Sequence, residues 1–369
     1  MDQIRNLFDR SYDLFKPLLF YLTKRDPETA HNIFVKFAQA LHELRLEKFV
    51  LDNEENELES PIEISNAAGL NKNGEIPPSF LAYLGFDRVV IGTVTYEPWK
   101  GNERPRCKRY ESTASLVNWL GLPGHGVKKV AERIIEYRDP KTPITINVMA
   151  TPSKKGDDAL EDIKYTIEIL RHFQNIDRFE LNISCPNTHS SNGAIDARSE
   201  YQKNLDDMLR ITDAYLLESQ ELDVKLSPDL DERGIKTILE VASDHRIHGF
   251  TIGNTTTNHD EYHIPKSPGK GGASGNAVYA ASLKVQQMFY EEMRRQGRSY
   301  RINACGGINS IIRAKQRVDY GATGIQVYTP LIFTGPKLVR YLRRGLVNVK
   351  FNEIKEDIER LVIDNARVQ

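Results

Sequence analysis

One cysteine stands between two asparagines in the segment FELNISCPNTHSS, residues 179–191. A run of alternating β-forming residues ends at Asn182, and Cys185 and Asn187 follow within five residues. A thiol has a reference pKa of about 8.5, so in a polar, lysine-rich site it can act as a general base. We predict that Cys185 takes a proton from a bound substrate. We also predict that the two amides hydrogen-bond to N–H and C=O groups of that substrate.

Two other interpretations of Cys185 compete with this one. A free cysteine often packs as a small buried hydrophobe, and that is the role we predict for Cys305. Nucleophilic catalysis is the second alternative, but the motif ELNISCPNT contains no histidine to activate the thiol. The third cysteine, Cys107, has no evident role in the sequence.

Short β-rich runs alternate with helical runs from residue 62 onward, and this alternation predicts the elements that position Cys185. Eight strand–helix units favour a closed parallel (β/α)8 TIM barrel, with an open doubly wound sheet as the alternative. The eight predicted strands are IEISNAAG, RVVIGTVT, ITINVMA, RFELNIS, DVKLSP, GFTIGNTT, RINACGGI and GIQVYTP.

Polar residues and glycines follow these strands at their C-terminal ends, where barrel active sites lie. Buried polar groups are costly unless they are partnered, so a ring of them predicts a polar ligand. Lys72 and Lys225 put two cations in one mouth and predict an anionic ligand; the alternative is that each lysine pairs with a carboxylate. The ring comprises Asn71, Lys72, Thr93, Asn147, residues 182–187, Lys225, Asn254, Thr255, Gly306, Gly307, Tyr328 and Thr329.

Glycines cluster in the last third of the chain, in GKGGASG (residues 269–275) and in CGGI around Gly306 and Gly307. Loops after the seventh and eighth barrel strands commonly bind phosphate, and glycine lets backbone N–H groups converge there. No GxGxxG fingerprint opens a βαβ unit. A phosphorylated cofactor is therefore predicted, and FMN fits better than NAD.

Composition excludes several classes of protein. A formal net charge of -1 argues against nucleic acid as a partner, because nucleic-acid proteins carry a basic face. Three cysteines without a CxxC spacing exclude a disulfide scaffold and a zinc ribbon, and no metal site is predicted. Reduced thiols favour a cytosolic or cytosol-facing protein.

Residues 1–50 are predicted to form a helical extension that precedes a barrel domain of residues 51–369. Pro17 interrupts the helical pattern, which predicts two short amphipathic helices rather than one long helix. Asp26 is a predicted N-cap, with Pro27 in the first helical position. No apolar run reaches the roughly 20 residues that span a bilayer, and charges near the N-terminus exclude a signal peptide.

Taken together, the ordered motifs resemble those of dihydroorotate dehydrogenases from about residue 61 to 345. These motifs are AAGLNKNGE, IGTVTYEPWKGNERPR, VNWLGLPGHG, ELNISCPNT, VKLSPDL, GNTTT, GGASG, CGGI and IQVYTPLIFTGP. The resemblance implies a (β/α)8 barrel with FMN at its C-terminal end. It also implies oxidation of dihydroorotate to orotate in pyrimidine synthesis.

The resemblance also implies a role for each matching residue. Cys185 would remove the C5 proton of dihydroorotate while a hydride passes from C6 to FMN N5. Lys225 would lie near the N1–C2=O edge of the flavin, where negative charge develops on reduction. The implied substrate residues are Lys72, Asn118, Gly121, Leu122, Asn182, Asn187, Asn254 and Thr255. The implied flavin and phosphate residues are Ala68, Gly69, Thr93, Asn147, Lys225, Gly275, Gly306, Gly307, Tyr328 and Thr329.

Two subclasses of the family are represented in the motifs. DPETAH with His31 and NERPR with Arg106 resemble the quinone tunnel of the membrane-associated class, which normally uses serine as its base. Cys185 and the GLP motif resemble the soluble class, which uses fumarate or an iron–sulfur partner. We favour quinone as the electron acceptor, because only the extension offers an apolar path to the flavin.

Three alternatives remain beside this interpretation: the soluble class, a paralogue acting on another pyrimidine or enone, and a non-catalytic barrel that binds a phosphorylated ligand. For residues 1–25 we predict contact with a membrane surface, at the cytoplasmic side of the inner membrane; the alternative is a helical cap on the barrel. In the membrane interpretation Leu18, Leu19, Phe20 and Leu22 enter the headgroup boundary, with Lys16, Lys24 and Arg25 at its polar edge.

Overall fold

The computed structural model describes residues 2–24, 26–51, 58–183, 196–260, 264 and 270–347. The strands are β1 Glu63–Asn66, β2 Val89–Val94, β3 Cys107–Tyr110, β4 Ser115–Asn118, β5 Ile144–Val148, β6 Ile176–Asn182, β7 Glu221–Leu226, β8 Gly249–Ile252, β9 Gly272–Gly275, β10 Arg301–Cys305 and β11 Ala322–Val327. The helices are α1 Asp2–Leu22, α2 Pro27–Glu43, α3 Glu47–Leu51, α4 Pro78–Tyr83, α5 Gly126–Tyr137, α6 Asp157–Leu170, α7 Asp196–Tyr215, α8 Glu232–Ala242, α9 Tyr279–Arg295, α10 Ile311–Asp319, α11 Thr329–Thr334 and α12 Lys337–Leu346.

Eight parallel strands form the barrel in the order β1-β11-β10-β8-β7-β6-β5-β2. The side chain of Asn66 joins the two end strands: its Nδ2 donates to the Val90 carbonyl over 2.7 Å, and its Oδ1 accepts from the Val90 N–H over 2.9 Å. A parallel bridge between Ser65 and Arg88 adds to this closure. The predicted TIM barrel is confirmed, each of the eight predicted strands is present, and the open-sheet alternative is wrong.

A second sheet, which the sequence analysis did not anticipate, has three antiparallel strands in the order β3-β4-β9. Its register places Asn118 opposite Cys107 on one side and opposite Gly272 on the other. The strand β9 has the sequence GASG, and glycine is depleted in strands. This strand therefore depends on its pairing with β4 rather than on its own preference for extended backbone.

The helix α1 continues through Pro17, so the prediction of two short helices is wrong. Pro17 lies on the solvent side, where the loss of one backbone hydrogen bond leaves no buried group unpaired. The turn before it is fixed by contacts with α11: the Tyr12 hydroxyl donates to the Ile332 carbonyl, and Lys16 Nζ donates to the Phe333 carbonyl over 2.8 Å. These contacts hold the helix in one piece.

The C-terminal end of α1 is held against β3 by Arg109. Its guanidinium lies 3.8 Å from the centroid of the Phe20 ring, and its Nη2 donates to Thr23 Oγ1 over 3.0 Å. Phe20 is 4% exposed and also contacts the Phe333 ring. The prediction that Phe20 enters a headgroup boundary is therefore wrong, because this side chain packs inward.

The predicted cap of α2 is confirmed, since Asp26 accepts from the Glu28 N–H.

A group of ion pairs, which we call the base ring, lies at the N-terminal ends of the barrel strands. The predicted site lies at the opposite ends of these strands. Arg178 joins Glu63 over 2.7 Å and Glu221 over 3.1 Å, and Arg88 joins Glu63 over 3.0 Å. Burial alone would raise the pKa of Glu63, but Arg178 and Arg88 outweigh it, so the pKa is lowered. The same ring includes Asp177, Asp223 and Arg301.

The base ring predicts a pH dependence of stability. Because the folded pKa of Glu63 is below its ordinary value of 4.5, its stabilising effect is complete above about pH 4.5 and is lost as the pH falls through the folded pKa. We expect Glu63→Gln to lose about 2 kcal/mol of unfolding free energy at pH 7 and progressively less below pH 4.5. Urea unfolding of both proteins from pH 3 to pH 7 measures this, and a constant difference would contradict it.

Candidate active site

A cavity of about 1030 Å³ lies at the C-terminal end of the barrel, which we call the rim, and extends to α1 and α2. It is lined by residues from seven parallel strands or the loops that follow them (β1, β2, β6, β7, β8, β10 and β11), from the antiparallel sheet, and from the N-terminal helices. Seventeen predicted site residues line it: His31, Ala68, Gly69, Lys72, Thr93, Arg106, Asn118, Leu122, Asn182, Lys225, Asn254, Thr255, Gly275, Gly306, Gly307, Tyr328 and Thr329.

Four predicted residues are not part of this lining. Cys185 and Asn187 lie outside the described residues. Gly121 forms a turn with φ +70°, in which a Cβ would lie 2.8 Å from the Asn102 amide group. Asn147 is fully buried in β5, behind the cavity wall. The prediction for Cys185 therefore stays a prediction.

Amides and hydroxyls at the rim form a connected chain of hydrogen bonds. Asn182 at the end of β6 donates to Thr93 Oγ1 over 3.2 Å, and Asn254 donates to Asn182 Oδ1 over 3.4 Å. The Thr255 N–H donates to Asn254 Oδ1 over 2.9 Å, and separately from this chain Asn118 donates to the Gly272 carbonyl over 3.3 Å. These contacts fix the orientation of each amide, so the rim presents donors and acceptors in a defined pattern.

Lys225 pairs with a carboxylate that the sequence analysis missed. Its Nζ lies 3.8 Å from Glu180 Oε1, and both side chains are almost completely buried in the barrel. Glu180 also accepts from Asn147 Nδ2 over 2.6 Å, from Gln326 Nε2 over 2.9 Å, and from the Thr251 hydroxyl. The carboxylate alternative is thus correct for Lys225. The sequence does offer a signal for this pair, because Glu180 is a charged residue at an inward-facing position of the predicted strand RFELNIS.

Glycines and a tyrosine form a close-fitting part of the wall near α11. A Cβ added to Gly69 would lie 3.4 Å from Tyr328 Cε1, and one added to Gly307 would lie 2.6 Å from the Gly275 carbonyl oxygen. Ser274 and Thr329 share a hydrogen bond between their hydroxyls over 2.9 Å. Gly307 leaves no room for a side chain, and Gly69 has a φ of +103°, which residues with a Cβ rarely adopt, so backbone rather than side chains faces this end of the cavity.

The wall formed by α1 and α2 contains a set of apolar side chains, and Glu28 pairs there with Arg106 and Arg104. Arg106 donates to both oxygens of Glu28, over 2.9 and 3.0 Å, and to the carbonyls of Lys100 and Asn102. This bidentate pair connects α2 to the loop before β3. The apolar residues of this wall are Leu19, Phe20, Pro27, Ala30, Phe34 and Val35.

Two titratable groups on this wall have pKa values that are shifted by their surroundings: Tyr12, whose pKa burial raises to about 12, and His31. Burial lowers the pKa of His31, and the charge of Lys72 lowers it further, against the opposing carboxylates of Glu75 and Glu28. His31 is therefore neutral at pH 7 and can accept or donate a hydrogen bond through either ring nitrogen. Cys107 also lines the cavity, and burial raises its pKa to about 12.

Within the described ranges, no three His, Cys, Asp or Glu side chains come together as a set that could hold a metal ion. No helix in this part of the chain has the length and apolar character needed to cross a membrane.

Comparisons with known proteins agree on one family. The model of the family described as dihydroorotate dehydrogenase matches residues 52–349. Dihydroorotate dehydrogenase (quinone) from Natronomonas pharaonis is 32% identical over 349 residues, or 92% of this chain and 94% of that protein. The same enzyme from Psychrobacter sp. is 30% identical, covering 89% of this chain and 95% of that protein. A crystal structure of the Eimeria tenella enzyme with ferulenol superposes with a TM-score of 0.73 at 26% identity, over 88% of this chain and 91% of that one.

Proposed function

Because this chain belongs to the dihydroorotate dehydrogenase family, we propose that it oxidises dihydroorotate to orotate with FMN as cofactor and a quinone as electron acceptor. The observation that carries the proposal is the shape of the cavity, which joins a rim of amides and lysines to an apolar wall of N-terminal helices. Dihydroorotate, which is polar, suits the rim, and the apolar quinone suits the wall of N-terminal helices. A flavin bound between the rim and this wall would contact both molecules.

The residues around the cavity fit FMN. Glycines at positions 69, 275 and 307 leave flat backbone where a ring system and a phosphate need close approach. Lys225, which lines the cavity, supplies a cation for the flavin. When bound, FMN supplies the hydride acceptor for dihydroorotate and the electron source for the quinone.

The rim residues fit dihydroorotate on the other side. Lys72 is the cation suited to the carboxylate of the substrate, and the fixed amides of Asn118, Asn182 and Asn254 suit its ring C=O and N–H groups. In the proposed reaction Cys185 takes the C5 proton, with Asn187 beside the ring. The turn at Gly121 and Leu122 closes the pocket.

The quinone half of the proposal depends on the extension. The apolar side chains of α1 and α2 suit a quinone ring and tail, and the neutral His31 and the Arg106 guanidinium can donate to quinone oxygens. Fumarate, a small dianion, gains nothing from such a wall. The soluble-class alternative is therefore less well supported than quinone use.

Anaerobic flavin spectroscopy tests the proposal. The purified protein should be yellow, bleach when dihydroorotate is added without oxygen, and regain colour with a short-chain quinone. Recovery with fumarate alone would instead support the soluble class. Bleaching by another pyrimidine but not by dihydroorotate would indicate a paralogue, and a flavin that no substrate bleaches would indicate a binding protein.

Filling the apolar end of the cavity should slow reoxidation of the flavin by quinone without changing its reduction by dihydroorotate. Ala30 lines this end from α2, and Ala30→Trp would place a large ring in it. Overpacking costs about 1–3 kcal/mol, so we expect reoxidation by quinone to slow at least about tenfold while reduction by dihydroorotate is unchanged. Stopped-flow measurement of each half-reaction checks this. Ala40→Trp, exposed on the same helix, is the matched control.

We further propose that the extension binds the membrane from the cytoplasmic side of the inner membrane. An unusual number of large apolar side chains are exposed on α1 and α2, and Lys16 lies among them. Such a face suits the headgroup boundary. The exposed apolar residues are Leu14, Phe15, Leu18, Tyr21 and Leu22 on α1 and Ile33 and Phe37 on α2.

Vesicle sedimentation tests membrane binding. Burying one leucine side chain contributes about 1.5–3 kcal/mol, so Leu18→Glu should weaken binding to phospholipid vesicles at least about tenfold. Ile135→Glu replaces an equally exposed apolar residue on α5 and should bind like the unaltered protein. Equal binding by all three proteins would support the helical-cap alternative.

A further inference from the structure

Arg317 on α10 is a fully buried guanidinium without an acidic partner. It is 0% exposed and donates to four neutral acceptors: the Gly306 carbonyl over 2.9 Å, Ser282 Oγ over 3.0 Å, Gln286 Oε1 over 3.1 Å, and the Tyr279 carbonyl over 3.5 Å. No ion pair of Arg317 is found within the described ranges, and its Nε has no partner there.

Three other buried arginines of this chain have acidic partners. Arg88, Arg178 and Arg343 each pair with at least one carboxylate within 3.0 Å. Burying a cation without an anion costs several kcal/mol, even after the surroundings relax. Burial lowers the pKa of Arg317 to about 10, which leaves it a cation at pH 7. An anion from outside the described part of the chain would offset this cost.

The hydrogen bonds of Arg317 indicate where that anion would bind. Gly306 and Gly307 line the cavity, and their carbonyls face two arginines: Arg317 binds the first, and Arg313 Nη1 binds the second over 2.8 Å. In a trans peptide the C=O and the following N–H point in opposite directions. The N–H of Gly307 therefore points away from Arg317.

Arg313 reinforces this arrangement from the surface. It also donates to Asn276 Oδ1 over 2.7 Å, and its guanidinium lies 4.2 Å from the centroid of the Tyr279 ring. The same ring lies 5.1 Å from the Arg317 guanidinium. Two cations are thus fixed around one aromatic ring behind the glycine turn.

We propose that Arg317, assisted by Arg313, is a positioning residue for the phosphate of the cofactor. Its buried charge attracts a phosphate dianion held by the backbone of the Gly306–Gly307 turn, and its hydrogen bond fixes the direction of that backbone. This inference rests on the proposed use of FMN. In this inference, the preference for a phosphorylated flavin comes from the charges of Arg317 and Arg313, which do not contact the ligand directly.

The test compares FMN with riboflavin, which has the same ring system but no phosphate. Flavin-free protein is titrated with each ligand, and binding is followed by quenching of flavin fluorescence. We expect Arg317→Gln to reduce the preference for FMN over riboflavin about tenfold, the effect of one charge acting at short range through the protein. Arg317→Lys, which keeps the charge, should retain most of the preference.

A structural control separates charge from packing. Gln286→Leu removes a hydrogen-bond partner of Arg317 but leaves its charge, so it should change the affinities for FMN and riboflavin by the same factor. If Arg317→Gln does not fold, the partly exposed Arg313→Gln should still lower the preference about threefold. An unchanged preference in the folded variants would overturn the inference. Failure of the unaltered protein to bind either flavin would instead refute the proposed function, and the inference with it.

Discussion

Replacing Cys185 by alanine is expected to slow reduction of the flavin by dihydroorotate at least about 10²-fold, the usual contribution of a positioned general base. The C5 proton would have no acceptor in the variant, whereas the quinone half-reaction does not involve this proton. Reoxidation of chemically reduced variant by a short-chain quinone should therefore proceed at the unaltered rate. Anaerobic stopped-flow absorbance at the flavin band measures both half-reactions.

Cys185→Ser provides the matched comparison. A serine hydroxyl has a higher pKa than a thiol, so the serine variant should be milder than alanine if a proton relay is available. Its pH profile for flavin reduction should also move to higher pH. An alanine variant that reduces its flavin as fast as the unaltered protein would show that Cys185 is not the base. The buried-hydrophobe interpretation would then apply.

Glu180→Gln is expected to cost about 3–5 kcal/mol of unfolding free energy, because it leaves the buried ammonium of Lys225 without its carboxylate. The amide can keep some of the hydrogen bonds from Asn147 and Gln326, so the loss is one of charge rather than of shape. Urea unfolding at pH 7 on flavin-free protein measures the effect without a contribution from ligand binding.

Two further variants separate the charge from the hydrogen bonds. Thr251→Val removes one neutral donor to Glu180, together with the acceptor of two long hydrogen bonds from Asn303 and Gln326, and should cost about 1 kcal/mol. Glu180→Gln combined with Lys225→Met removes both charges and should recover much of the stability lost in the single variant. A double variant no more stable than Glu180→Gln alone would show that packing, and not the unpaired cation, causes the loss.

The barrel could be predicted because its strands are short apolar runs bounded by turn residues, such as ITINV in β5, which is buried along its whole length. The rim followed from topology, since parallel strands end at the same edge of a sheet. Local sequence patterns were therefore enough to predict the strands and the residues that follow them at the rim. Local sequence also sufficed for the capping of α2 by Asp26, because the capping contacts with Glu28 and Thr29 lie within three residues.

Features that depend on distant partners could not be predicted in this way. Pro17 lowers helix propensity, but bonds from Tyr12 and Lys16 to carbonyls more than 300 residues away hold α1 together. The glycine-rich β9 becomes a strand only beside β4. The pairing of Glu180 with Lys225 depends on the way β6 and β7 align across the barrel interior.

The ion pair between Glu28 and Arg106 has a consequence for any shortened form of this protein. A version starting after α2 would leave the Arg106 guanidinium at the cavity without the Glu28 carboxylate that pairs with it. The inner faces of Val35, Ala38 and Leu41 would no longer cover the barrel. The helix α2 thus belongs to the hydrophobic core of the barrel rather than to a separate unit.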